Sequence, residues 1–177
     1  DGDADTAADS ILALQYTPSP PTLALRGGWA PNPASLAGSG TIGRIVIDQS
    51  SGNSILYFAR GDGQLYRRDA TNGTAPGASG SWLGTGQLNL AAYLGKFDAE
   101  GSLFAGKFNN SIYAPTNQHG NEIVRIETPT GNLLAAKDCG TGNRNHFGFN
   151  LISQSVFVTG ADQYVWRIHE DTLAFNA

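Results

Sequence analysis

At 177 residues the chain is long enough for one domain with a sizeable core. Only 15% of residues are charged, 23 glycines and 8 prolines punctuate the chain, and 40% are hydrophobic, a mix that excludes disorder and favours short strands over helices. A formal charge of −4 gives no electrostatic reason to expect nucleic acid, and no apolar run approaches the roughly 18 residues of a membrane-spanning helix.

The chain opens with acids at alternate positions. Asp1, Asp3, Asp5 and Asp9 form D-x-D-x-D-x-x-x-D. A hard cation takes six to eight oxygens, and carboxylates spaced this way in a tight loop converge on one point. They are the candidate ligands for calcium, with the Ala7 carbonyl between them. Two other readings stay open: Asp5 caps a helix over 6–15 with Ala7, Ile11 and Leu14 on one face, or the acids form a solvated terminus. The pattern resembles the calcium loops of FG-GAP propellers, dockerins and the propeller of type IV pilus tip adhesins, departing from them at Thr6 and Leu12. Asp-Gly-Asp-x-Asp also resembles the acid-bearing helix of inverting (α/α)-barrel glycosidases, but no helices follow to build that fold. A start at Asp1 and the absence of methionine suggest a processed product or a piece of a longer chain.

Residues 16–37 carry Pro18, Pro20, Pro21, Pro31 and Pro33 around the short apolar strand Leu23-Ala24-Leu25. Prolines remove backbone donors, so this stretch belongs at an edge or against a partner. The chain accordingly divides into an acidic, Pro-rich arm at 1–38 and a second unit at 39–177. Residues 10–16 and 23–26 could supply half of a blade within the arm.

Beyond the arm, three units repeat one order of strands and turns. The first runs 42–48, 54–60 and 64–69, with Gly61-Asp62-Gly63 as a tight hairpin turn. A Gly- and Ser-rich connection at 71–85 carries Trp82, which serves either as an exposed platform for a sugar or as a plug onto the core. The second unit runs 92–98, 102–105, 111–113 and 122–127. The third runs 146–150, 155–159 and 163–169. The last strand of each places an arginine between apolar residues, and Arg67, Arg125 and Arg167 lie 58 and 42 residues apart. Repeats of this length, built of several strands, are the signature of propeller blades. The predicted fold is therefore all-β, a propeller-like array of three to four antiparallel meanders, with a β-sandwich as the alternative.

Asp69-Ala70-Thr71-Asn72-Gly73 and Glu127-Thr128-Pro129-Thr130-Gly131 resemble the acid-x-x-Thr-Gly turn of quinoprotein-type propeller repeats. In those repeats a tryptophan four residues after the glycine docks neighbouring blades. Here Gly77 and Ala135 stand at those positions. Residues 97–104 likewise resemble the Asp-x-x-Gly-x-Leu-aromatic hairpins of sugar-lactonase-type propellers.

Candidate chemistry is sparse. His119, His146 and His169 form no metal-binding spacing, and no nucleophile elbow or phosphate loop is present. His146, feeding the third unit, is the histidine placed for a site. A lactonase-like metal site would draw on Asp98, Glu100 and Asp162. Cys139 has no partner for an internal disulfide and reads as a turn residue. The candidate ligand-binding residues are Trp29, Trp82, Trp166 and His146. Three blades alone leave unpaired edges, so copies of the chain itself or further parts of a longer chain are the expected partners, with surface glycans as a second class. The reading is an extracellular or cell-surface structural or adhesive module, including a filament or surface-assembly subunit stabilised by calcium. A lectin-like propeller and a lactonase-type hydrolase are the alternatives.

Overall fold

The computed structural model describes residues 10–29, 34–35, 42–48, 52, 54–99, 101, 103–106, 110–117, 122–139, 146–150, 155–159 and 165–175, with backbone only at Ser10, Ala34, Ser35, 146–150 and Thr159. In the arm, β1 (Ser10–Ile11) pairs with β4 (Ala34–Ser35), and β2 (Leu14–Pro18) pairs with β3 (Pro21–Leu25) across a cis Ser19–Pro20 peptide. The described part of the 6–15 helix is thus not helical: Ser10–Ile11 and the start of β2 are strand, joined through Leu12 and Ala13.

Blade I joins β5 (Ile42–Asp48), β6 (Ile55–Arg60) and β7 (Leu65–Asp69). Blade II joins β8 (Phe104–Ala105), β9 (Ser111–Thr116), β10 (Glu122–Glu127) and β11 (Leu133–Asp138). Blade III joins β12 (His146–Asn150), β13 (Ser155–Thr159) and β14 (Val165–His169). Every pairing is antiparallel, and within each blade strands pair with their neighbours in the chain.

Which side of each blade is buried distinguishes the two expected architectures. In a sandwich each sheet covers a core on one face only. Blade II is covered on both: Ile112, Ala114, Val124 and Ile126 pack on Tyr57, Ala59 and Leu65 of blade I. Tyr113 and Ile123, on the opposite face, pack on Val156, Val158 and Ile168 of blade III. Blades stacked face to face in series are the propeller arrangement, and the fold is all-β and propeller-like. On its free side blade I meets the arm, where Ile11 and Trp29 cover Leu56, Phe58 and Tyr66.

Two expectations at strand level fail. The 92–98 strand is instead a 3₁₀ turn (Ala91–Tyr93) followed by a bridge from Phe97 to Thr116. Gly95, at φ +70, turns the chain there, and Tyr93 and Phe97 fill the core as a ring pair 6.3 Å apart. Their spacing imitates strand alternation. β11 was not expected, because Leu133-Leu134-Ala135-Ala136 neither alternates nor favours strand.

Candidate functional site

The arginine-bearing strand of each blade runs into the same five-residue turn, at 69–73, 127–131 and 169–173. The fifth amide donates to the first carbonyl: Gly73 to Asp69 (2.8 Å), Gly131 to Glu127 (2.8 Å) and Leu173 to His169 (2.9 Å). The first amide donates to the sixth carbonyl at 2.8–2.9 Å in all three, reaching Thr74, Asn132 and Ala174. The fifth residue is left-handed, with φ +76 at Gly73, +72 at Gly131 and +54 at Leu173. A leucine in that conformation costs about 1–2 kcal/mol, and the Leu173 side chain, fully buried between blades II and III, offsets it.

These turns receive the side chains of the preceding blade. Tyr57 O–H donates to the Thr128 carbonyl (3.4 Å) and Tyr113 O–H to the Glu170 carbonyl (2.8 Å), the second residue of each turn. Arg67 Nη1 donates to Pro129 O (3.3 Å) and Arg125 Nη1 to Asp171 O (2.7 Å), the third residue. Arg125 also pairs with Asp171 Oδ1 at 3.1 Å. Burial, then the Asp48 carboxylate, pushes the Tyr57 phenol far above its ordinary value, against the pull of Arg67 and the Thr128 bond. The phenol therefore stays protonated and able to donate.

Trp82 completes the joint between blades I and II. Its Nε1–H donates to Thr128 O (3.0 Å), its ring lies 5.7 Å from that of Tyr57, and the Arg67 guanidinium stands 4.9 Å over it. Arg67 Nη2 donates to Gly77 O (2.7 Å), pinning the 71–85 connection, and Ser81 N donates to Thr130 O (2.7 Å). Trp82 is 1% exposed. A Cβ on Gly131 would lie 2.9 Å from its Nε1, and one on Gly73 would lie 2.7 Å from Trp29 Cε2. Trp29 thus seats on the blade I turn as Trp82 seats on the blade II turn. Both indoles are buried packing elements: of the two readings open for Trp82 the plug onto the core describes it and the exposed sugar platform does not, and Trp29, also a candidate ligand-binding residue, is packed in the same way. The docking tryptophan missing at Gly77 is supplied five residues later, by Trp82.

The remaining candidates divide. Trp166 is half-buried, 4.8 Å from the Phe175 ring, over which Lys137 Nζ sits at 4.3 Å. His146 opens β12, and its side chain lies outside the described residues, as do Asp1, Asp3, Asp5, Asp9, Glu100, His119 and Asp162. His169 serves its turn, its Nδ1 accepting from the Asp171 amide (3.2 Å). Cys139 is buried in the cluster between blades II and III, its thiol directed at Lys137 O (3.6 Å). No group of three or more His, Cys, Asp or Glu among the described residues is placed to hold a metal.

One polar recess of about 360 Å³ opens between the blade I hairpin turn and the bend before β8, lined by Asp62, Asp98, Asn117 and glycine backbone. Gly63, at φ +73, makes it possible: a Cβ there would lie 2.4 Å from the Gly95 carbonyl carbon. Asp62 is committed to the turn, accepting from Gln64 N (3.0 Å) and pairing with Arg60 at 3.6 Å. The recess can receive a small polar group.

The joints between blades define a β-propeller-type protein. The solved structure of BamB from Moraxella catarrhalis, itself a propeller, is similar over 97% of this chain, with a TM-score of 0.53 and 19% sequence identity. The chain spans about half of that protein's length, 51%. No protein-family model matches, and no curated protein matches in sequence. The likeness supports the propeller but not the FG-GAP or pilus-adhesin families that the acidic loop resembles.

Proposed function

We propose that this chain is a non-catalytic structural or adhesive propeller module of the cell exterior, acting through its strand faces, with its arm at 1–38 organised by calcium on Asp1, Asp3, Asp5 and Asp9. The observation that carries the reading is the β2–β3 hairpin. Leu14, Tyr16, Leu23 and Leu25 lie on one face of it and are 48–64% exposed. An apolar face of this kind is what a binding scaffold presents to a partner, and catalysis has no use for it. The buried polar groups point the same way, since Tyr57, Arg67 and Tyr113 are spent on joining blades. Low charge and abundant Gly, Ser, Thr and Asn suit the exterior setting.

Light scattering on the purified chain, with calcium and then with chelator, tests this reading. Assembled species that dissociate on chelation support it. A monomer under both conditions overturns it. A glycan-binding role has one observation in its favour, the half-exposed Trp166–Phe175 ring pair beside Lys137, and glycan-dependent quenching of Trp166 fluorescence would reveal it.

A further inference from the structure

The polar recess beside the blade I hairpin turn is built from three stretches of chain that backbone bonds tie together. Phe97 N donates to Gly63 O (3.0 Å), Asn117 N to Lys96 O (2.8 Å) and Asp98 N to Pro115 O (3.0 Å). The hairpin turn, the bend at 95–99 and the residue after β9 are therefore fixed relative to one another, and the cavity exists before any ligand enters. Gly95 leaves it open, since a Cβ there would meet only Asp62 O, at 3.8 Å.

Its lining offers both donors and acceptors. Asp62 and Asp98 bring carboxylates. That of Asp62 is held by Gln64 N (3.0 Å), by the Tyr66 O–H (3.5 Å) and by Arg60 at 3.6 Å. An ionised carboxylate has about four lone-pair sites, so Asp62 can accept further hydrogen bonds. Asn117 is exposed, and its carboxamide, a donor and an acceptor at once, has no partner among the described residues. The backbone amides of Gly61, Asp62 and Gly95 likewise donate to no carbonyl among the described residues.

This set discriminates between ligand classes. A metal ion uses acceptors only and leaves the amides and the Asn117 carboxamide N–H groups unmatched. A phosphate or a carboxylate would face Asp62 and Asp98, which repel it. A hydroxyl both donates and accepts, so a ring carrying several hydroxyls matches both halves of the lining. Size agrees: a cavity of about 360 Å³ holds about twelve waters at ~30 Å³ each and stands at the lower end of small-molecule sites, room for one six-membered sugar ring.

We infer that the recess binds a single neutral sugar residue, its hydroxyls donating to the Asp62 and Asp98 carboxylates and accepting from Asn117 and the backbone amides. The inference rests on the adhesive reading above, for which it supplies a ligand class and a site with no residue of the β2–β3 hairpin in its lining.

Saturation-transfer NMR on the intact chain tests this with glucose, galactose, mannose and N-acetylglucosamine. Each is added to roughly 50 mM, well above the dissociation constant on the order of 1 mM expected for a polar ligand of about a dozen atoms. The expected result is transfer to at least one sugar, weakened about fivefold by Asn117→Ala, which removes the carboxamide, and abolished by Asn117→Trp, which fills the cavity. Circular dichroism confirms that both variants, at an exposed position, fold. No transfer to any of the four sugars overturns the inference, as does transfer that either Asn117 variant leaves unchanged. Loss of transfer in Phe175→Ala alone moves the sugar to the Trp166–Phe175 pair and overturns the recess as well. The scaffold reading is judged separately, by light scattering in calcium and in chelator, so its failure and that of the recess are told apart.

Discussion

Tyr113→Phe and Tyr57→Phe remove the same hydroxyl from equivalent positions, yet they should cost different amounts. The Tyr113 hydroxyl donates to Glu170 O at 2.8 Å in a fully buried setting. Its loss takes away one cross-blade bond and strips a donor from a buried carbonyl, which is worth about 1.5 kcal/mol. The Tyr57 bond to Thr128 O is longer, 3.4 Å, and that carbonyl keeps the Trp82 Nε1–H at 3.0 Å. Its removal should cost about 0.5 kcal/mol. For a chain of this size these losses correspond to roughly 3–6 °C and 1–2 °C in Tm. Thermal melts followed by circular dichroism, with urea unfolding as a check, read both. Equal shifts, or a larger one for Tyr57→Phe, would refute the view that the second carbonyl of each turn is the receiving point and that Trp82 shares it.

Gly131→Ala should destabilise by about 2–4 kcal/mol in urea unfolding, because φ is +72 and a Cβ would meet Leu88 Cδ1 at 2.8 Å and Trp82 Nε1 at 2.9 Å; Gly52→Ala, with φ +77 but open space, should cost only about 1 kcal/mol. Arg67→Ala loses bonds to Gly77 O and Pro129 O and its seat over Trp82, so a loss of about 3 kcal/mol is expected from denaturant midpoints. Burial, then the Asp171 carboxylate, raises Glu170 above the usual glutamate range, against the pull of Arg125 and His169. The folded state therefore holds that proton more tightly than the unfolded one, and stability falls as pH rises from the unfolded to the folded value. Glu170→Gln should accordingly stabilise at pH 7, and urea midpoints should converge with the parent once the pH drops below the ordinary glutamate range.

Strands that carried a regular alternation were legible, and those that owed their place to a neighbour were not. Residues 42–48, 155–159 and 122–127 alternate and are strands as read. β11 has two alanines and two leucines in series, and it is a strand because β10 offers it an edge. The 91–98 segment alternates without being a strand, since Gly95 and the Tyr93–Phe97 pair reuse the same residues in a turn. Trp29 and Trp82 sit among Gly, Pro and Ser, and local composition leaves a platform and a plug equally open for such tryptophans. Their burial depends on Gly73 and Gly131, 44 and 49 residues further on, and that distance hides the contact from any local reading.

The three arginines were the visible trace of the joints. Strands buried on both faces are no place for a guanidinium unless carbonyls replace its water. In this fold those carbonyls come from the turn after the arginine-bearing strand of the next blade, at Pro129 for Arg67 and at Asp171 for Arg125. An arginine repeated between apolar residues near the end of each unit therefore reports the repetition of an interface as well as of a strand. That explains why the spacing can differ, 58 and then 42 residues, without breaking the repeat: the 71–85 connection lengthens the chain between joints while each arginine keeps its place two residues before the turn.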